Sequence, residues 1–260
     1  MILVVTENFS VRVKIVFCKI PVVKKEVLAL LFVLAVVSTS PAYGHKLISH
    51  DDSHRTLDSA LLIPDHKISW AIYENLGANE AKFYTFDAKK GDSFYASIVV
   101  PKISGLEEYS PSLILMSDNQ NMSNNDDSGS FEGLQFKTEK SLYEGKFPGN
   151  EFYEPFGQVT YWERQEIKTT LTYDGKYFVV VLDEKNQIGK YSLAIGTIED
   201  FSGVDLFTIL PKAWIETKLF VDDYFSIGVL FLIIAIILII PVYFILLKKK
   251  RVIGNVSTIN

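Results

Sequence analysis

The sequence predicts an all-β fold, a jelly-roll-like β-sandwich ectodomain with one C-terminal transmembrane α-helix, and three observations predict it. From Lys67 onward, short stretches rich in Ile, Val, Phe, Tyr and Thr recur about every ten to twenty residues between Gly, Asn and Asp clusters, as strands and turns do. Within Ser93–Val100, Phe94, Ala96, Ile98 and Val100 fall on one face and Tyr95, Ser97 and Val99 on the other. Both faces are apolar enough to be partly covered, which two packed sheets explain. Finally, Tyr224–Leu247 is 24 residues without a charge, about 36 Å of helix at roughly 1.5 Å per residue.

The elements follow in chain order. Residues 1–44 read as a signal region: the apolar run Val27–Val37 follows Lys24 and Lys25 and precedes Ser38, Thr39, Ser40 and Pro41, and cleavage is expected after Gly44. Residues 45–66 read as a polar leader, and 67–200 as an extracytoplasmic β-sandwich. Its expected strands are Lys67–Tyr73, Ala81–Phe86, Ser93–Val100, Ser112–Met116, Leu134–Thr138, Ile167–Thr172, Lys176–Leu182 and Lys190–Ile198. Hairpins are expected at Lys89–Asp92, Tyr173–Lys176 and Asn186–Gly189, where Gly supplies left-handed backbone. Ser117–Ser130 is too polar for a strand and reads as a surface loop, with Asn121 as a glycosylation acceptor. Residues 201–223 read as an amphipathic juxtamembrane stalk, or else a helix packed under the sandwich, with Pro211 interrupting or restarting any helix. Residues 224–247 read as the membrane helix. The basic run Lys248–Arg251 then places 248–260 in the cytoplasm as a short tail and the N-terminal domain outside, a single-pass protein of the cell membrane.

Charge narrows the partners. The whole chain carries a net −5, and removing 1–44 and 223–260 leaves 17 basic against 28 acidic residues, or −11, in the exported segment. That balance excludes a nucleic-acid partner, which would need clustered Lys and Arg. The single cysteine, Cys18, lies in the signal region, so no disulfide staples the exterior domain.

Three segments carry a family pattern: ISWAIYENLGANEAKFYTFDAKKGDSFYASI (Ile68–Ile98), SPSLILM (Ser110–Met116) and YDGKYFVVVLDEKNQIGKYSLAIG (Tyr173–Gly196). Their Y-x-F strand end, K-x-G-D turn, L-x-L strand and closing D-G-x-Y-x-V-x-V … G-x-Y-x-L pair resemble the pre-peptidase C-terminal class of extracellular β-sandwich. The resemblance covers about half of the exported domain and departs from the class between Met116 and Ile167. It implies a sandwich that serves as an enzyme appendage or as an adhesion and ligand-binding module, and no enzyme domain accompanies it here.

The candidate sites are few. Glu151–Glu166 concentrates Phe152, Tyr153, Phe156, Tyr161, Trp162 and Arg164, a mix that stacks on sugars or anchors a protein partner. Equally, these aromatics would plug one end of the sandwich, with Arg164 paired to a carboxylate. His45, His50 and His54 offer a copper site in which the amine and imidazole of His45 chelate Cu(II), and HDDSH spaces two imidazoles as on one helical turn. Asp118, Asn121, Asn125, Asp126 and Asp127 offer oxygens to Ca²⁺ without EF-hand spacing. No nucleophile elbow, HExxH pair, Walker loop or dinucleotide fingerprint occurs. The sequence therefore predicts no enzyme and no required cofactor, but a membrane-anchored recognition or accessory module for a protein or glycan outside the cell. The alternatives are a copper-binding extracytoplasmic protein and a structural subunit of a membrane complex.

Overall fold

The computed structural model describes residues 45–117, 128–131, 134–201 and 205–256. The signal region 1–44, Cys18, the glycosylation acceptor Asn121 and the proposed calcium ligands of 118–127 lie outside the described residues. Twelve strands and two helices are described: β1 (Lys46–Leu47), β2 (Leu61–Leu62), β3 (Trp70–Leu76), β4 (Ala81–Ala88), β5 (Ser93–Pro101), β6 (Ser112–Ser117), β7 (Ser128–Phe131), β8 (Leu134–Ser141), β9 (Glu151–Glu154), β10 (Val159–Thr170), β11 (Gly175–Leu182), β12 (Gly189–Ile195), α1 (Asp205–Phe220) and α2 (Tyr224–Val256).

The strands form two six-stranded sheets, β1-β3-β12-β5-β10-β9 (sheet A) and β2-β4-β11-β6-β8-β7 (sheet B). Taken without the short strands, the orders are β3-β12-β5-β10 and β4-β11-β6-β8, with the chain changing sheet after nearly every strand, the winding of two Greek keys. Period-two alternation builds the core: Ile72 and Leu76 of β3, Phe94, Ala96, Ile98 and Val100 of β5, and Val179 and Val181 of β11 all point between the sheets and are buried. Val180 and Phe178 alternate to the outer face of sheet B, where Leu57 and Ala60 cover them.

That winding corrects the three expected hairpins. Lys89–Asp92 links β4 to β5, 171–174 links β10 to β11, and Asp183–Ile188 links β11 to β12, and in every case the two strands belong to different sheets. They are arches across the sandwich. Gly91 (φ +90°) and Gly175 (φ +133°) do adopt the left-handed backbone expected of them, but the pairing partners come from elsewhere in the chain. Hairpin pairing between consecutive strands is seen instead at β7–β8 and β9–β10.

The polar leader is likewise corrected, because 45–66 is woven into the sandwich. β1 pairs in parallel with β3 at the edge of sheet A, and β2 pairs in parallel with β4 at the edge of sheet B. Between them the segment crosses the open side of the sandwich, and the His54 carbonyl accepts the Phe83 N–H at 2.9 Å. Ile63, His54 and His66 are buried. The strap thus satisfies edge groups that would otherwise face water or another chain.

α1 lies on the outer face of sheet A. Phe220 packs with Val159 and Tyr161 and stacks on Tyr73 with ring centroids 4.7 Å apart, and the Tyr73 hydroxyl meets Thr217 Oγ1 at 2.8 Å. Pro211 sits inside this helix without ending it, against expectation. Asp223 caps the start of α2 by accepting the N–H and hydroxyl of Ser226, and these bonds with Lys218 lower its carboxyl to about 2.

The transmembrane helix is the main correction to the expected fold class. Among the described residues no helix is long and apolar enough to cross a membrane. The backbone of α2 runs from Tyr224 to Val256. The architecture is a mostly β protein of two sheets and two helices, and the single-pass anchor, with the sidedness drawn from it for 248–260, is withdrawn. α2 instead leaves apolar side chains such as Phe225, Phe231 and Leu232 exposed.

Candidate functional site

A cleft of about 350 Å³ opens on the outer face of sheet A beside α1. Its floor is the outward side of β3, β5, β12 and β10, and the β9–β10 hairpin forms one wall. The turn of that hairpin is self-capped, since the Glu154 carboxylate accepts the N–H groups of Phe156 (2.7 Å) and Gly157 (2.5 Å). A side chain at Gly157 would put its Cβ 2.6 Å from Thr217 Cγ2, so glycine is what lets the turn touch α1. The lining mixes aromatic rings, Tyr73, Tyr95, Phe152 and Tyr161, with the carboxylates Glu154, Glu163 and Glu166. Burial holds the Tyr73 and Tyr161 phenols well above their usual range, so both stay neutral.

The six aromatic and arginine candidates separate along β10. Phe152, Phe156 and Tyr161 line the cleft. Tyr153, 57% exposed, lies on the hairpin outside that lining. Trp162 points the other way, into the core between the sheets. Arg164 is the extra residue of a β-bulge, since Glu163 pairs with Val99 and Gln165 with Ile98. Its guanidinium is buried and donates to the carbonyls of Tyr109 (2.8 Å), Glu107 (2.9 Å), Glu163 (3.1 Å) and Pro148. Tyr143, Phe147 and Trp162 surround it within 5.2 to 5.5 Å. Arg164 therefore pairs with backbone carbonyls, not with a carboxylate, and its charge is consumed there although the residue borders the cleft.

The histidines also separate. His45 hydrogen-bonds Ser69 Oγ at 2.5 Å and lines the cleft, apart from His50 and His54. The helical turn expected from the His50–His54 spacing does not form; the segment folds back at Asp52 (φ +65°), with Asp51 Oδ1 accepting the Ser53 N–H and hydroxyl. That reversal brings the two rings edge to face at 4.7 Å. Both reach one oxygen of Glu74: Oε1 lies 2.7 Å from His54 Nε2 and 3.2 Å from His50 Nε2, and it also accepts the Tyr84 hydroxyl at 3.1 Å. Glu74 was not singled out in the sequence, yet its place was legible, because it alternates with Ile72 and Leu76 on the inward face of β3. Lys82, inward on β4, stands 3.7 Å from Glu74 Oε2 and pairs with Asp52. Burial lowers the Lys82 amine and raises the Tyr84 phenol.

The chain matches no protein-family model, and no curated protein matches it in sequence. Among solved structures it is similar to the periplasmic inhibitor of g-type lysozyme PliG of Salmonella Typhimurium (16% identity over 59% of this chain and 97% of that one, TM-score 0.29). It is similar also to Aeromonas hydrophila PliG (12% identity, 58% and 94%, TM-score 0.28). A third is CorA, a surface-associated copper-binding protein of Methylomicrobium album BG8 (12% identity, 54% and 98%, TM-score 0.30). Likeness at this level says nothing of what the present chain binds.

Proposed function

We propose that the chain is a non-catalytic binding protein acting outside the cytoplasm, and that it holds its partner in the cleft beside α1. One observation carries the reading: the cleft joins aromatic faces to the carboxylates of Glu163 and Glu166, with Glu154 turned to the hairpin's own N–H groups, while its only guanidinium is spent on backbone carbonyls. Such a lining repels anions and favours a cation over an aromatic face. The partner is accordingly a protein that presents Lys or Arg side chains, and the −11 of the exported segment draws it in from a distance. The signal-like order of residues 1–44 supports the location.

Calorimetric titration with a Lys- and Arg-rich peptide and, separately, with a neutral oligosaccharide tests this. Peptide binding is expected to weaken as salt rises, and to fall about tenfold in Glu163→Gln and in Phe152→Ala, the loss of about 1.4 kcal/mol. Salt-insensitive binding of the oligosaccharide alone would replace the basic partner by a glycan, and no binding of either would sink the cleft as the site.

A further inference from the structure

We infer that His50, His54 and Glu74 form a transition-metal site at the strapped edge of the sandwich, separate from the cleft. The three donor atoms lie within 4.8 Å of one another. Around an ion with bonds of ~2.0 to 2.1 Å, tetrahedral donors stand roughly 3.3 Å apart; the His54–Glu74 and His50–Glu74 separations are 2.7 and 3.2 Å, and the two imidazole nitrogens, within 4.8 Å of each other, close on the ion as it binds. The site is buried with one open side: the His54 and Glu74 side chains are each 1% exposed, and His50, at 12%, leaves an approach from solvent.

One feature distinguishes this cluster from an ordinary buried hydrogen-bond hub. Glu74 Oε1 is crowded by three donors at once, two imidazoles and the Tyr84 hydroxyl, where a single divalent ion would satisfy both rings and the carboxylate together. Around the ligands, Tyr84 steadies Oε1 and is itself joined to Tyr191 at 2.9 Å, while Asp52 draws Lys82 away from the ion's side of Glu74. Two imidazoles and one carboxylate suit Zn(II), Co(II) or Cu(II) and not Ca²⁺ or Mg²⁺, which take oxygen ligands. His45, which lines the cleft, has no part in it.

Metal binding moves a proton within His50. Without metal, its Nδ1 accepts the Asp52 N–H at 3.3 Å, which assigns the ring proton to Nε2, facing Glu74 and the Tyr73 carbonyl. An ion on Nε2 requires that proton on Nδ1 instead, and His54, whose Nε2 donates to Glu74 Oε1, makes the same change.

The test is titration of the full chain with Zn(II), followed by calorimetry and by ¹⁵N spectra of the histidine rings. One Zn(II) per chain is expected, with His50 and His54 changing from the Nε2–H to the Nδ1–H form and His66 unmoved. His50→Gln is expected to cut affinity at least tenfold and His45→Ala to leave it unchanged. Glu74→Gln should behave as His50→Gln, and if it fails to fold, the partly exposed His50 variant and the wild-type spectra still decide. Ring signals of His50 and His54 that stay fixed at equimolar Zn(II), or an affinity that falls in His45→Ala and not in His50→Gln, would overturn the site.

Discussion

Arg164, a binding candidate in the sequence, and His66, which was none, are both spent on the fold. Arg164 closes the bulge of β10 by serving four carbonyls, the work of a fork-shaped cation that lysine cannot copy. His66 is buried and stacks on Phe86 with centroids 4.8 Å apart. Burial lowers its imidazole below the ordinary 6.5, and Asp92, 3.7 Å away, offsets only part of that. The sign follows: above 6.5 the ring is neutral whether the chain is folded or not, whereas below it the unfolded chain takes up the proton first. Stability should therefore decline as pH falls from 6.5 toward the depressed folded value. Urea midpoints at pH 7.5 and 5.5 should differ more in the wild type than in His66→Phe, and equal slopes would show that the ring titrates normally.

Among the elements, α1 and the strap were the least legible. The apolar positions of Phe201–Val221 fit a membrane-lying stalk and a packed helix alike, because amphipathicity reports that a face is buried and not what buries it. Tyr73, Val159 and Tyr161 on sheet A decide it, by offering an apolar outer patch for Phe220. Phe220→Ala should accordingly cost about 2 to 3 kcal/mol in urea unfolding and loosen the cleft wall at Thr217; an unchanged midpoint would mean that α1 is not docked. The strands were read more readily, with β4, β5, β6 and β11 found to within two residues. By contrast Val159–Glu166 of β10 and all of β9 were missed, since Glu151–Glu166 mixes charges among aromatics and the bulge at Arg164 breaks its alternation.

For the whole molecule, the strap 45–66 matters more than its composition suggests. It pairs with one edge of each sheet and carries Leu57 and Ala60 onto Phe83, Met116 and Phe178. A chain begun at Lys67 would expose both edges and that apolar face. It should elute from size exclusion as aggregate while a chain begun at His45 elutes as a folded species; a well-behaved shorter chain would restore the reading of 45–66 as a leader.

The sequence by itself determined the β-rich character, the strand faces and the acidic, disulfide-free exterior, because alternation and charge are properties of neighbouring residues. Only the tertiary structure decided that three glycine turns cross between sheets, that Trp162 faces the core while Tyr161 faces the cleft, and that Glu74 meets His50 and His54. Those facts depend on contacts between segments far apart in the chain, such as β3 with the strap twenty residues before it. The long apolar stretch at the C-terminus shows the same limit from the other side, since hydrophobicity along a chain records a tendency to leave water, while Phe225, Phe231 and Leu232 of α2 stay exposed.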